Sequence, residues 1–338
     1  MSATPDVTAV IVNYNGARYL ERGIASLLDQ SLRPHIMVVD NASTDGSARA
    51  VFERFPEVEI VPLRRNRGFA RAVNLAARRT RSPVLVLLNL DAVAEHEFVE
   101  RLTAPVFKRP EIGSAAGTLV FERAPTTVAS AGIAVHSNGV AIDTSLGEPL
   151  QRETEPAPVF GASGGAAALR RSAFLDAGGF PEAFFLYLED VDLAWRLRLL
   201  GWESLCVPSA VARHAYSASA GEGSPFKRRL LARNRLWTIA RVWPDELLHA
   251  GASSIAAHDV LALAHGVVTV DRAALRGRAE GLAGLPLRLC ERRGIQRGRV
   301  AAPADLAGWV RPSLSPRKLL ELRRLTRRLA EPPSEHGG

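Results

Sequence analysis

Seven segments alternate at the start of the chain. Val7 to Val12, His35 to Asp40, Val58 to Leu63 and Val84 to Leu88 are apolar-rich runs of strand length, while Ala17 to Gln30, Gly46 to Phe55 and Gly68 to Arg79 repeat their apolar residues at helical spacing. Continuous apolar runs suit strands covered on both faces. Strands separated by helical segments are joined by right-handed crossovers, so the pattern predicts a mostly parallel sheet. Each predicted strand ends in polar or turn-forming residues: Asn13-Tyr14-Asn15-Gly16, Asp40 through Gly46, Asn66-Arg67-Gly68 and Asn89-Leu90-Asp91. Four such endings on one sheet edge make a cleft of nucleotide size, where open α/β sheets bind their ligands.

From about Ala115 the rhythm breaks. Gly117 to Glu122, Ile133 to Val135 and Val140 to Ile142 read as short strands among Gly, Pro and Ser, which predicts an antiparallel, loop-rich region. Gly161 to Gly165 reads as a flexible hinge, followed by the apolar Ala166 to Leu169, a helix opened by Ser172, and a second helix from Glu189 to Gly201. Beyond Pro244 the chain is helical, rich in Ala and Leu, and then basic. Leu319, Leu322, Leu325 and Leu329 alternate with Arg and Lys as in a basic amphipathic helix, and Pro332 to Gly338 reads as a disordered tail.

Composition narrows the class. A hydrophobic share of 47% in 338 residues fills a substantial core, and two distant cysteines, Cys206 and Cys290, form no metal-type spacing and fit a reducing cytoplasm. The N-terminus lacks a basic and apolar secretion signal, and no run of apolar residues approaches a membrane span, so a soluble or peripheral protein is expected. The net charge of +8 calls for an acidic partner: nucleotide phosphates, anionic lipid or nucleic acid.

Asp40, at a strand end, can accept hydrogen bonds from a base or ribose, with Asp45 capping the next helix; ordinary turn chemistry accounts for the stretch equally well. Asp91, after a fully apolar strand, is a hard oxygen donor suited to a divalent ion on a diphosphate, with Asn89 a neutral donor beside it. Asp192 can pair with Arg196 at i,i+4, which leaves Glu189 and Asp190 as adjacent like charges with no structural duty. The preceding Phe184 to Leu188 gives them an apolar wall that raises one pKa toward that of a useful base. His214 ends another strand pattern, as a structural histidine or a ligand, and Lys227 to Arg229 with Arg233 and Arg235 suggest phosphate neutralisation.

Together these residues resemble the inverting family 2 glycosyltransferases of GT-A fold, particularly bacterial rhamnosyltransferase-like members. The matching blocks are Val10 to Gly16, Val38 to Gly46, Asn66 through Asn74, Leu88 to Asp91, Gly164 through Arg170, and Glu189 to Leu193, in the family's order over roughly the first 240 residues. Two departures stand out: Asn89 replaces the first acid of Asp-x-Asp, and Leu90 sits where relatives often carry proline. The resemblance implies an α/β protein: a GT-A domain, Rossmann-like in its nucleotide-binding half and with a mixed sheet, plus a C-terminal helical extension. The expected parts are a nucleotide-sugar half over 1–115, an acceptor and catalytic half over 116–243, a basic helical extension over 244–330 and a disordered tail over 331–338.

The resemblance further implies that Asp190 is the general base, with Glu189 orienting the acceptor. Asp91 would bind a Mg²⁺ or Mn²⁺ ion and the sugar diphosphate, with His214 as a further ligand. Asp40 would recognise the nucleoside within a donor site that includes Asn13, Asn15, Asn66, Gly68, Asn74 and Asn89, and Gly164, Gly165 and Trp195 would meet the acceptor. The implied reaction moves a sugar from a nucleoside-diphosphate donor, dTDP-rhamnose or a UDP-sugar, to a hydroxyl of a lipid-linked or cell-surface glycan. It takes place in the cytoplasm, with contact to the inner face of the membrane left open, and nucleic acid is not an expected partner. A non-catalytic nucleotide-sugar or glycan-binding protein is the competing reading, opposed by the retained acids. A nucleotidyltransferase is the other, opposed by the lack of a glycine-rich basic loop after the first strand.

Overall fold

The computed structural model describes residues 6–215 and 223–330, so the expected tail over 331–338 lies outside the described residues. In chain order the elements are β1 (Val7–Asn13), α1 (Leu20–Leu28), β2 (His35–Asp40), α2 (Ser47–Arg54), β3 (Glu59–Pro62), α3 (Gly68–Arg79), β4 (Val84–Leu88), β5 (Ala92–Ala94), α4 (Phe98–Lys108), β6 (Ile112–Phe121), β7 (Ala124–Ser130), β8 (Ile133–His136) and β9 (Ala141–Asp143). They continue with β10 (Ala157–Pro158), β11 (Ala166–Arg170), α5 (Arg171–Asp176), α6 (Glu189–Leu199), β12 (Glu203–His214), α7 (Pro225–Val242), α8 (Asp245–Val268), α9 (Arg272–Arg297), α10 (Pro303–Ala307), β13 (Val310–Arg311) and α11 (Pro316–Ala330).

The main sheet runs β10-β12-β6-β11-β4-β1-β2-β3, with β5 on β12 and β7 on β6. Its first half is parallel as the alternation predicts, and the register sets Asn13 opposite Asp40, so the polar strand ends share one edge. β4 carries five apolar residues in a row and is buried on both faces. The second half is mixed rather than antiparallel. β11 runs against β4 and β6, and the α5–α6 crossover then returns the chain so that β12 lies parallel to β6. Pro208 has no N–H for the ladder, and the register shifts between Val207 and Val211 around it. The division expected at residue 115 falls inside β6.

One apolar core lies under each face of the sheet, around Ile11, Leu88 and Phe98 on one side and Val73, Phe174 and Leu193 on the other. A third core, built on Trp195, Trp243 and Phe160, joins α6, α7, α8 and α10 to the small β13-β8-β9 sheet. α9 lies against α7 so closely that a β-carbon on Gly277 would sit 2.1 Å from the Arg229 carbonyl oxygen. One expectation fails: α8 is long and apolar enough to cross a membrane by length and composition, and only 11% of its most apolar window is buried. Alanines and scattered polar residues dilute its sequence, so no unbroken apolar run reveals it.

Candidate active site

A cleft of about 360 Å³ opens at the strand-end edge. Asn89 and Asp91 enter it from the end of β4, His214 from the end of β12, Ser163 to Gly165 from the turn before β11, Glu189 and Asp190 from the start of α6, Asp143 from β9 and Lys227 from α7. The two acidic elements therefore face one cleft across about a hundred residues of sequence.

On the β4 side, the Asp91 carboxylate lies 2.9 Å from His214 Nε2, and Asn89 Nδ2 lies 3.3 Å from the same nitrogen. The pairing of β12 with β5, which sets His214 beside Ala92, makes this contact. A carboxylate and an imidazole converging where a phosphate can sit are a donor pair that fits a Mg²⁺ or Mn²⁺ ion, whose other positions go to phosphate oxygens and water. Among the described residues no three such side chains converge, so the protein supplies a partial shell.

On the α6 side, Asp190 accepts hydrogen bonds from the Gly164 N–H (2.9 Å) and the Val191 N–H (2.8 Å), which fix its carboxylate toward the cleft. The stretch read as a hinge is therefore a brace, since Gly165 also accepts from the Asn89 N–H and Gly161 from the Ile133 N–H, each at 2.9 Å. Burial raises the Asp190 pKa against the pull of those N–H groups. Glu189 is buried with one carboxylate oxygen unbonded, and burial together with the Asp190 charge holds it well above the usual carboxylate range. Asp192 points the other way: burial alone would raise it, yet the Arg196 and Arg241 guanidinium groups hold it below its ordinary value.

Tyr187 and Leu188, immediately before α6, have φ of 70° and 66°, and Phe185 has 69°, a left-handed run of large side chains. Asn234 of α7 holds that run by donating to the carbonyls of Phe184 (3.1 Å), Leu186 (3.0 Å) and Tyr187 (2.7 Å). Gly68, itself at φ 82°, is pressed against it, with the Phe185 carbonyl 2.3 Å from where a β-carbon would be.

The remaining expected residues divide. Asp40 is buried outside the lining of this cleft, held by Asn13 Nδ2 (2.8 Å) and the Ser43 N–H (3.2 Å), while Asn13, also buried, donates to Ser43 and Ser47 as well. Asn15 accepts from the Thr44 N–H, tying the loops after β1 and β2 together, and Asn66 accepts from the Gly68 N–H within its own turn. Asn74 is not at the site: it is buried and clamps Phe180 through both backbone groups, away from the cleft. Trp195 is also displaced, fully buried between Phe160 and Trp243, because α6 is covered on every side beyond its first turn. Of the basic cluster only Lys227 reaches the cleft, over the Tyr187 ring; Arg228, Arg229 and Arg235 pair with Asp271, Glu280 and Asp259, and Arg233 donates to the Phe184 carbonyl.

Asp143 went unread in the sequence. It lines the cleft, and burial, with Asp190 nearby and the Ser130 hydroxyl opposing, pushes its carboxyl up to about 6. A three-residue strand with one acid carries no periodic signal; only its pairing with β8 brings it in.

A profile described as "Glycosyl transferase family 2" matches residues 8–177, half of the chain, which takes in the strand ends through Asp91 and stops short of Glu189, Asp190 and His214. The chain belongs to this family. The glycosyltransferase is 31% identical over 242 residues to an N-acetylglucosaminyl-diphospho-decaprenol L-rhamnosyltransferase of Mycobacterium tuberculosis, covering 64% of the present chain and 78% of that one. It is 29% identical over 234 residues to the O-antigen biosynthesis protein RfbC of Myxococcus xanthus, covering 64% of the present chain and 18% of that protein. Among solved structures, GalNAc-T7 with UDP, GalNAc and Mn²⁺ superposes with a TM-score of 0.59 at 18% identity, over 73% of the chain and 49% of that structure. The mannosyltransferase PcManGT from Pyrobaculum calidifontis, with GDP-Man and Mn²⁺, gives 0.52 at 18% identity over 97% and 87%. These neighbours are GT-A glycosyltransferases, and the fold of the present chain is theirs.

Proposed function

We propose that the enzyme transfers a sugar, with inversion, from a nucleoside-diphosphate donor to a hydroxyl of a lipid-linked glycan at the inner face of the membrane, with dTDP-rhamnose or a UDP-sugar as donor. The observation that carries this reading is the placement of the N–H-braced Asp190 and the Asp91–His214 pair in one cleft. The lipid-linked acceptor is supported by the similarity to the mycobacterial N-acetylglucosaminyl-diphospho-decaprenol L-rhamnosyltransferase.

In the proposed reaction the nucleoside sits at Asp40 and the diphosphate at Asp91 and His214. A divalent ion bound there would neutralise the departing diphosphate. Asp190, its carboxylate aimed by Gly164 and Val191, takes the proton from the acceptor hydroxyl as that oxygen attacks the anomeric carbon from the face opposite the phosphate. Glu189, buried beside it and with its pKa raised, orients the acceptor. One displacement with no sugar–enzyme bond inverts the anomeric centre. The test is a screen of nucleotide sugars for Mn²⁺-dependent stabilisation and transfer to a polyprenyl-diphosphate glycan, with the configuration of the product read by NMR. Asp190→Asn is expected to keep donor affinity and lose about 10²- to 10⁴-fold in turnover. Transfer with retention, or turnover in the variant near that of the parent, contradicts the proposal.

A further inference from the structure

Among the described residues, α8 and the turn after it carry a group of exposed large apolar side chains. Val260, Leu261, Val267, Val268 and Val270 are 66%, 59%, 61%, 81% and 66% exposed, with Leu263 at 50% between them. The only acid in this part of the helix, Asp259, is turned inward onto Arg235 and Arg278 at 2.8 and 2.6 Å. A contiguous apolar strip of this kind on an otherwise charged protein marks a contact surface. The opposite face of α8 is already committed: Leu247 is buried in the third core, Gly251 backs onto the Ser137 carbonyl, and His258 lies 3.5 Å from Asn138.

We propose that this outward face of α8, flanked by the arginines of α11, docks the enzyme on an anionic membrane surface. The amphipathic helix α11 does not present its leucines for that purpose. Leu325 lies over Gly147, Leu329 packs on the main core, and Thr326 and Ala330 are buried, so the stripe is used inward and Arg323, Arg324 and Arg328 are left exposed. The two helices are neighbours: Ser254 of α8 hydrogen-bonds Ser313 at the entry to α11, and the Arg323 charge reaches His258. An apolar strip beside a row of cations matches the acyl boundary and headgroups of an anionic leaflet. A second copy of the chain would set the same arginines against one another.

The placement suits the chemistry, and here it rests on the lipid-linked acceptor proposed above. α8 touches the β8–β9 turn through Ser137 and Asn138, and β9 carries Asp143 into the cleft. Through the β8–β9 turn, α8 is thus joined to the cleft wall that carries Asp143, where an acceptor on a lipid would enter.

The test is sedimentation of the full chain with vesicles of phosphatidylglycerol and phosphatidylcholine, and with phosphatidylcholine alone, without donor or acceptor. The parent is expected to sediment with the anionic vesicles. Val260→Asp combined with Val267→Asp, both at exposed positions, should lower that partition by at least about tenfold with unchanged thermal melting and nucleotide affinity. Arg323→Glu combined with Arg324→Glu should lower it at low salt, the difference shrinking at high salt. A parent that stays in the supernatant, or an aspartate variant that sediments like the parent, overturns the proposal. A parent dimer by light scattering that the aspartate pair dissolves, with vesicle binding unaltered, assigns the face to a second copy instead. Vesicle binding without glycan transfer in the separate activity screen leaves the surface standing and removes the acceptor reading.

Discussion

Glu189, Asp190 and Asp192 lie within four consecutive positions and end in three electrostatic states, because their surroundings differ more than their chemistry. Asp192 faces two guanidinium groups and Asp190 two backbone N–H groups, while Glu189 is buried beside the Asp190 charge with one carboxylate oxygen unbonded. The i,i+4 pair with Arg196 was legible in the sequence; Arg241, forty-nine residues on, was not, since nothing local announces it. Opposite pH effects follow. Burial and the Asp190 charge raise the Glu189 pKa above its ordinary 4.5, so the folded state holds this proton to higher pH than the unfolded chain does, and its burial costs stability as pH rises above that value. Glu189→Gln should therefore raise the urea midpoint, more at pH 8 than at pH 5. Asp192 has a depressed pKa, so its ion pairs stabilise above 3.8 and fade on acidification. Asp192→Asn should cost about 3–5 kcal/mol at pH 7, the penalty for stranding a buried partner, and less as the pH falls below 4. A Glu189→Gln midpoint unchanged between the two pH values would mean that this acid is ionised in the folded protein. At the other wall, Asp91→Ala should weaken Mn²⁺-dependent nucleotide binding by about 10- to 100-fold and His214→Ala by less, read by calorimetric titration with and without the ion. Equal affinities in all three proteins would dismiss the pair as metal ligands.

The strands and helices of the first half were legible because their signals are local: five apolar residues make β4 a buried strand wherever it lies. The backbone before α6 is the contrary case. Large side chains at positive φ oppose intrinsic preference, so residues 185–188 owe their path to Asn234 on an element about fifty residues downstream. In the sequence Asn234 is one polar residue between Arg233 and Arg235, and Trp195, which the resemblance put at the acceptor, carries no sign that α6 is enclosed. Asn234→Ala takes the donor from three carbonyls at once and is expected to cost about 3 kcal/mol, measured by urea unfolding. Because the released loop leads directly into Asp190, turnover should fall further than donor affinity. A variant with native stability and native turnover would show that the loop holds its own shape.

Over the whole molecule, legibility falls where packing rather than periodicity decides. The basic residues beyond Pro244 announced a cationic extension, yet most of the arginines on α7 and α9 are spent inward: Arg235 on Asp259, Arg241 on Asp192, and Arg292 on the Trp243 carbonyl and Asp245. The same holds for α11, whose leucine stripe suits a membrane and a protein surface alike. The structure decides for the protein surface, since the stripe covers Gly147 and reaches the edge of the main core while its cations face outward. Removal of the chain after Pro312 therefore has a defined expected effect. It retains the β13–β8 pairing and the bond from His136 to the Pro312 carbonyl, and uncovers the loop around Gly147 and the core edge near Leu329. Exposing several half-buried leucine contacts should cost about 2–4 kcal/mol, seen as a lower urea midpoint at unchanged secondary structure. Nucleotide binding, proposed above to involve Asp40 and Asp91, should persist. If the truncated chain melts like the parent, α11 is not part of the packed body and its leucines are available for another surface.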